Sequence, residues 1–210
     1  MTAKAIAESP LQQYLENLHR RLADLDLGQL ASYIPELTRA DPAWLGIAVA
    51  TVDGHVYQVG DSRQPFTIQS VSKPFVYGLA LADRGVERVL AKVGVEPSGE
   101  AFNSISLEPG TGRPLNPMIN AGAIATTSLI AGDDPAHRER RILEMLGRFA
   151  GHELTLDQAV YASEARTGHR NRALAHLMRN FGILESDPEP ALDLYFRQCS
   201  VLVTCRDLAL

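Results

Sequence analysis

Ser70-Val71-Ser72-Lys73 sets a hydroxyl three residues before an amine. On a helix, positions i and i+3 share a face, so these two side chains can meet. An amine taken out of water gives up its proton more readily, and can then act as a base toward the hydroxyl. A serine at a helix N-terminus also has free backbone N–H groups beside it, in the positive end of the helix dipole. Negative charge developing on an attacked carbonyl oxygen is stabilised there. Nucleophile, base and oxyanion site would thus lie within four residues. The chain has 17 arginines but only three lysines, Lys4, Lys73 and Lys92. One lysine falls where the chemistry needs it, and arginine could not serve because it stays protonated. The same four residues also fit a capping serine next to a solvated lysine, so the motif is not decisive by itself.

The elements around the motif suit this placement. Residues 66–69 read as a short strand, and 71–84 as a helix closed by Gly85, with Pro74 tolerated in its first turn. Upstream, Ser9-Pro10 opens a helix over 10–24 whose apolar stripe is Leu11, Leu15, Leu18 and Leu22. Residues 44–52 read as a buried strand, Asp53-Gly54 as a two-residue hairpin turn, and 55–59 as the return strand. Downstream, 86–93 is a short helix. Residues 96–117, rich in glycine and proline, form an ordered loop whose length points to function. Helices follow at 120–130, 135–149, 169–181 and 190–198, with Ile142, Leu143, Leu146 and Phe149 on one face of the second. Thr155-Leu156-Asp157-Gln158 reads as a capping box opening a further helix. Residues 201–203 form a short strand, and Thr204 caps a helix starting at Cys205. The pattern stops at Leu210 without a capping glycine, which reads as a piece of a longer protein. A helix, a strand hairpin and then many helices make an α+β chain.

Composition narrows the classes. With 45% hydrophobic and 21% charged residues the chain is ordinary and globular, and its length fits one domain. A net charge of −5 without a basic stripe speaks against nucleic acid. No apolar run approaches a membrane span. Residues 1–8 lack the apolar core of a signal peptide, so a cytoplasmic protein is expected. Cys199 and Cys205 are six apart, fit neither a redox pair nor a zinc knuckle, and read as two buried free thiols. The six histidines do not cluster, so no metal is expected.

Several stretches together resemble the serine-dependent glutaminase family, on the β-lactamase and penicillin-binding-protein fold. They are Tyr33-Ile34-Pro35-Glu36-Leu37, Gly60-Asp61-Ser62, Gln69 to Pro74, Glu96-Pro97-Ser98-Gly99 and Asn116 to Ile124. Ser163-Glu164 with Gly168-His169-Arg170-Asn171, and Tyr195 to Ser200, complete the set. The resemblance implies hydrolysis of L-glutamine to L-glutamate and ammonia, with Ser70 as nucleophile and Lys73 as base and proton carrier. It implies that Glu164 holds the substrate ammonium. Asn120, Asn171, Tyr195 and Tyr33 would supply hydrogen-bond donors, and Gln69 would line the same pocket. It also implies a homodimer or homotetramer and no cofactor.

That family carries a further catalytic tyrosine and a glycine-rich strand segment past the point matched by Leu210. The expectation is therefore a single incomplete catalytic domain over 1–210, with a sheet-forming part at about 30–70 and a helical part at about 71–210, inactive by itself. Two other readings stand beside it. A β-lactamase or penicillin-binding-type acyl-serine enzyme shares S-x-x-K but should add K-T-G, which is absent. A non-catalytic relative on the same fold would be expected to lose Ser70 or Lys73, and both are present, whereas an inactive binding or self-associating remnant remains open for this chain.

Overall fold

The computed structural model describes residues 9–99, 101 and 103–210. The leader reading of residues 1–8 lies outside them. Helix α1 (Pro10–Leu22) is capped by the Ser9 side chain, which accepts from Leu11 N. A 3-10 turn follows at Pro35–Arg39. Strands β1 (Gly46–Ala50) and β2 (Val56–Gly60) pair antiparallel with Ile47 opposite Val59 and Val49 opposite Tyr57. Thr51 N donates to the His55 carbonyl at 2.9 Å, so the loop encloses Val52, Asp53 and Gly54. It is one residue longer than the expected turn. The Thr51 hydroxyl accounts for this by accepting from His55 N, while Gly54 takes φ +85°. β1 is half-buried along its length, not buried as expected, because a two-stranded ribbon is only partly covered.

Strand β3 (Phe66–Thr67) ends two residues before the predicted limit and passes into a 3-10 turn at Gln69–Val71. Helix α2 (Ser72–Arg84) therefore starts one residue after Val71, and ends on Gly85 as expected. Then come α3 (Val86–Leu90), the irregular loop, α4 (Asn120–Ser128), α5 (Pro135–Ala150), α6 (Gln158–Thr167), α7 (His169–Asn180), α8 (Pro188–Cys199), β4 (Leu202–Val203) and α9 (Cys205–Ala209). α6 is capped by Asp157, whose carboxylate accepts from Ala159 N and Val160 N, and not by Thr155. The Thr155 carbonyl is instead used by Leu202 N at 2.8 Å, which draws Thr155 into extended structure. Thr204 caps α9 in a reciprocal box with Asp207. Phe149 is 57% exposed and stacks edge-on against Phe75 at 5.0 Å rather than entering the core.

β3 and β4 pair antiparallel, and Ile68 N donates to Val201 O at 2.8 Å. This ribbon fastens the end of α8 to the segment that leads into Ser70. α4 runs through the middle, buried from Asn120 to Thr127, and packs against α2, α7 and α8. Its small side chains allow the neighbours to approach. One apolar cluster joins Ile119 and Ile124 to Leu174, Met178, Leu192 and Phe196. A second joins Ile68, Val76 and Ala80 to Ile130, Ile142, Leu146 and Val201. Asp83 and Arg141 link α2 to α5 through two contacts of 2.5 Å.

Gly122 shows how tight the centre is. A Cβ there would lie 1.9 Å from the Asn116 carbonyl oxygen. The Asn116 turn holds the start of α4, since its Oδ1 accepts from Met118 N and Ile119 N. Gly122→Ala is therefore expected to destabilise the fold by roughly 1–3 kcal/mol, against the usual gain from alanine in a helix. Chemical denaturation of the two chains measures this, and equal or higher stability of the alanine variant would contradict the packing described.

Candidate active site

Seven of the eight residues singled out from the sequence line one cavity of about 310 Å³: Tyr33, Gln69, Ser70, Asn120, Glu164, Asn171 and Tyr195. Lys73 lies behind the wall. The first turn of α2 carries it into the interior, where it is 2% exposed. Its Nζ donates to the Met118 carbonyl at 2.9 Å and to Asn120 Oδ1 at 2.8 Å. Asn120, the first residue of α4, donates from Nδ2 to Asn171 Oδ1 at 3.1 Å. Tyr195 Oη, from α8, donates to Asn120 Oδ1 at 3.3 Å. Four elements thus meet in one hydrogen-bonded chain, and Asn120 is its hub.

Ser70 stands in the 3-10 turn before α2, exposed at the cavity, rather than at the first residue of the helix. The spacing to Lys73 is still one turn. Tyr33 is 57% exposed at the rim, and its Oη donates to Gln69 Oε1 at 3.3 Å. Glu164 comes from the last turn of α6 and is 8% exposed. Its Oε2 is buried and has no hydrogen-bond partner among the described residues.

Burial dominates the electrostatics. Loss of water lowers the Lys73 amine to about 8 and raises the Glu164 carboxyl to about 7. Each group therefore changes charge close to neutrality, which is unusual for either side chain. Burial also holds the Tyr195 phenol well above its ordinary range, and raises the Cys199 thiol to about 12. Cys199 is therefore a thiol and not a thiolate at working pH.

The wall also contains Ile34, Asn103, Thr167, Gly168, Arg170 and Cys199, which sequence reasoning did not select. Arg170 Nη1 reaches the Asn103 carbonyl at 3.3 Å and ties the long loop to α7. The length of that loop was the available signal for Asn103. Arg170 stands in the stretch Gly168 to Asn171, but only the fold gives it a partner. Cys199 is buried as expected, whereas Cys205 is only partly so. Among the described residues no group of three His, Cys, Asp or Glu could hold a metal, and no helix is long and apolar enough to cross a membrane.

An amine that gives up its proton near pH 8, a hydroxyl one turn away and a carboxylate with a spare oxygen suit acyl transfer on a small molecule that carries an ammonium. The family model described as "Glutaminase" matches residues 28–210. The chain is 56% identical over 204 residues to a glutaminase of Trichormus variabilis, covering 97% of this chain and 61% of that protein. It is 48% identical to a glutaminase of Corynebacterium efficiens, over 95% of this chain and 48% of that one. Among solved structures, Mglu in its native form superposes with a TM-score of 0.90 at 44% identity, covering 96% of this chain and 49% of that one. A probable glutaminase, ybaS, gives 0.87 at 40%, covering 97% and 65%. The chain thus spans about 61% of the length of the first curated relatives it matches. The α+β, β-lactamase-like class expected from the sequence is the class of this chain.

Glu164 should betray itself in stability. Its carboxyl titrates at about 7 in the folded chain and near 4.5 in an exposed one. Between these values the folded state keeps a proton that the unfolded state has lost, so stability falls as pH rises through that window. Glu164→Gln removes the penalty. The variant is expected to gain up to about 3 kcal/mol over the parent at pH 8 and nothing at pH 4. Urea denaturation at the two pH values reads this, and an equal difference at both would show that Glu164 is not desolvated.

Proposed function

The chain belongs to the glutaminase family, and on that premise we propose that it carries the nucleophile and substrate pocket of an amidohydrolase converting L-glutamine to L-glutamate and ammonia. One observation carries the reading: Glu164, a buried carboxylate with one oxygen that has no hydrogen-bond partner among the described residues, lines the cavity that also exposes Ser70. A free amino acid brings an ammonium that fits this oxygen, whereas a glutamine inside a peptide brings none.

In this reaction neutral Lys73 takes the Ser70 proton as Oγ attacks the side-chain amide carbon. The carbonyl π electrons move to oxygen. When the intermediate collapses, the C–N bond breaks, the proton passes to the departing nitrogen, and ammonia leaves a glutamyl ester on Ser70. Water attacks that ester with Lys73 again accepting a proton, then returning it to Ser70 as glutamate departs. Asn120, Asn171, Tyr195 and Tyr33 supply donors to the substrate carboxylate, the two phenols by turning their single hydrogens away from Asn120 Oδ1 and Gln69 Oε1, and Gln69 lines the same pocket. Asn120 uses one of its two amide hydrogens on Asn171 and retains the other. Turnover is attributed to the whole protein, as a cytoplasmic homodimer or homotetramer. In it residues 30–70 are the sheet-forming part and 71–210 the helical part of one catalytic domain.

Ammonia release tests this. Lys73→Arg is expected to lose activity as fully as Lys73→Ala, by roughly 10²–10⁴-fold or more, because arginine cannot release a proton. Because Glu164 would face an amide in place of an ammonium, N-acetyl-glutamine should be a poor substrate for the parent protein. Retained activity in the arginine variant would reduce Lys73 to a fixed charge. Efficient hydrolysis of the acetylated compound would replace free glutamine by a peptide substrate.

A further inference from the structure

The residue before Ser70 is held in an unfavourable conformation. Gln69 has φ +49° and is the only non-glycine residue with positive φ among the described residues. A long L side chain is disfavoured there by contact between Cβ and the backbone, and such a residue persists only where its surroundings fix it. Its side chain is fixed at both ends, with Nε2 donating to Thr67 Oγ1 at 3.0 Å and Oε1 accepting from Tyr33. Its carbonyl is fixed from the other side. Ser72 Oγ donates to Gln69 O at 2.7 Å, beside the backbone N–H of Ser72, which donates to the same carbonyl in the 3-10 turn. Ser72 Oγ in turn accepts from Gln198 Nε2 at 3.2 Å, and Gln198 Oε1 lies 2.9 Å from Thr127 Oγ1, whose one hydrogen it shares with the Ala123 carbonyl at 2.8 Å.

Ser72, Gln198 and Thr127 are almost wholly buried, and none of them lines the cavity. A buried carboxamide is costly unless its groups are matched, and here both ends are. The chain runs from α4 through α8 to the turn, and it ends on one atom, the Gln69 carbonyl oxygen. That carbonyl shares a rigid peptide plane with the Ser70 N–H, pointing the opposite way. Fixing one aims the other.

We propose that Ser72 and Gln198 are positioning residues that lock the Gln69–Ser70 peptide, and so aim the Ser70 N–H at the developing oxyanion. The inference rests on the acyl-serine reading above. Ser72 then has a role distinct from its neighbour in the S-x-S-K run: Ser70 reacts, and Ser72 orients the peptide that serves it.

The test uses the full-length parent protein, Ser72→Ala, and Gln198→Met as a near-isosteric second variant in case the first does not fold. Two rates are measured: phosphonylation of Ser70 by a small phosphonofluoridate, mapped by mass spectrometry, and turnover of L-glutamine. Thermal unfolding confirms that each chain is folded. Both variants are expected to lose roughly tenfold in Ser70 phosphonylation and in kcat, with KM changed far less. In a Gln69→Asn background, where asparagine tolerates positive φ better, Ser72→Ala should cost clearly less. A purely structural role would give the same loss in both backgrounds and would overturn the proposal. So would unchanged phosphonylation in a folded Ser72→Ala or Gln198→Met chain, or a parent protein that is not labelled at Ser70. The expected phosphonylation losses in a parent protein that does not hydrolyse glutamine would overturn the substrate reading instead, and leave this inference standing.

Discussion

The Lys73 amine loses most of its water on folding, and the elements around it are arranged to receive it. A lysine brought down to about 8 from 10.5 carries a penalty of roughly 3 kcal/mol for its charged form at neutral pH. Two neutral oxygens, Met118 O and Asn120 Oδ1, meet the nitrogen from the start of α4. They can do so only because α4 is built of small residues and lies close under α2. The glycine at 122 and the Asn116 turn are consequences of the same demand for close approach. The apolar clusters on either side of α4 supply the stability that tolerates a desolvated amine at its N-terminus.

Glu164 is the complementary case. Burial lowers an amine and raises a carboxyl, so loss of water draws both groups toward neutrality from opposite directions. Perturbed groups of this sort also occur in structural ion pairs. The spare oxygen on Glu164 distinguishes this one, because a structural carboxylate at 8% exposure would be expected to use its acceptors. The site spends stability on two groups poised for chemistry.

The sequence made the nucleophile region legible because its signals are local. A serine one turn before one of three lysines, a strand-like lead and a glycine stop depend on near neighbours alone. The helices α4 and α5 were legible for the same reason, the first from a run of small apolar residues and the second from its apolar face. Features that depend on distant partners were not. Thr155 matched a capping pattern, but its carbonyl belongs to a ribbon with Leu202, so Asp157 took the cap. Phe149 fell on the apolar face by period, yet it is mostly exposed and meets the partly buried Phe75 edge-on. Nothing local marks Gln69 for a positive φ; that follows from Thr67, Tyr33 and Ser72 acting together. Asn103 and Arg170 meet only because a long loop crosses over α7.

The scarcity of lysine makes the central claim directly measurable. Reductive ¹³C-methylation labels the ε-amines of Lys4, Lys73 and Lys92 and the α-amine, so an NMR titration resolves a handful of signals, assigned by single Lys→Arg replacements. If burial governs Lys73, its signal titrates near 8, while an exposed lysine titrates at about 10.4. A Lys73 signal that titrates only above pH 10 would contradict the account, because a fully charged amine could not serve Ser70 as a base.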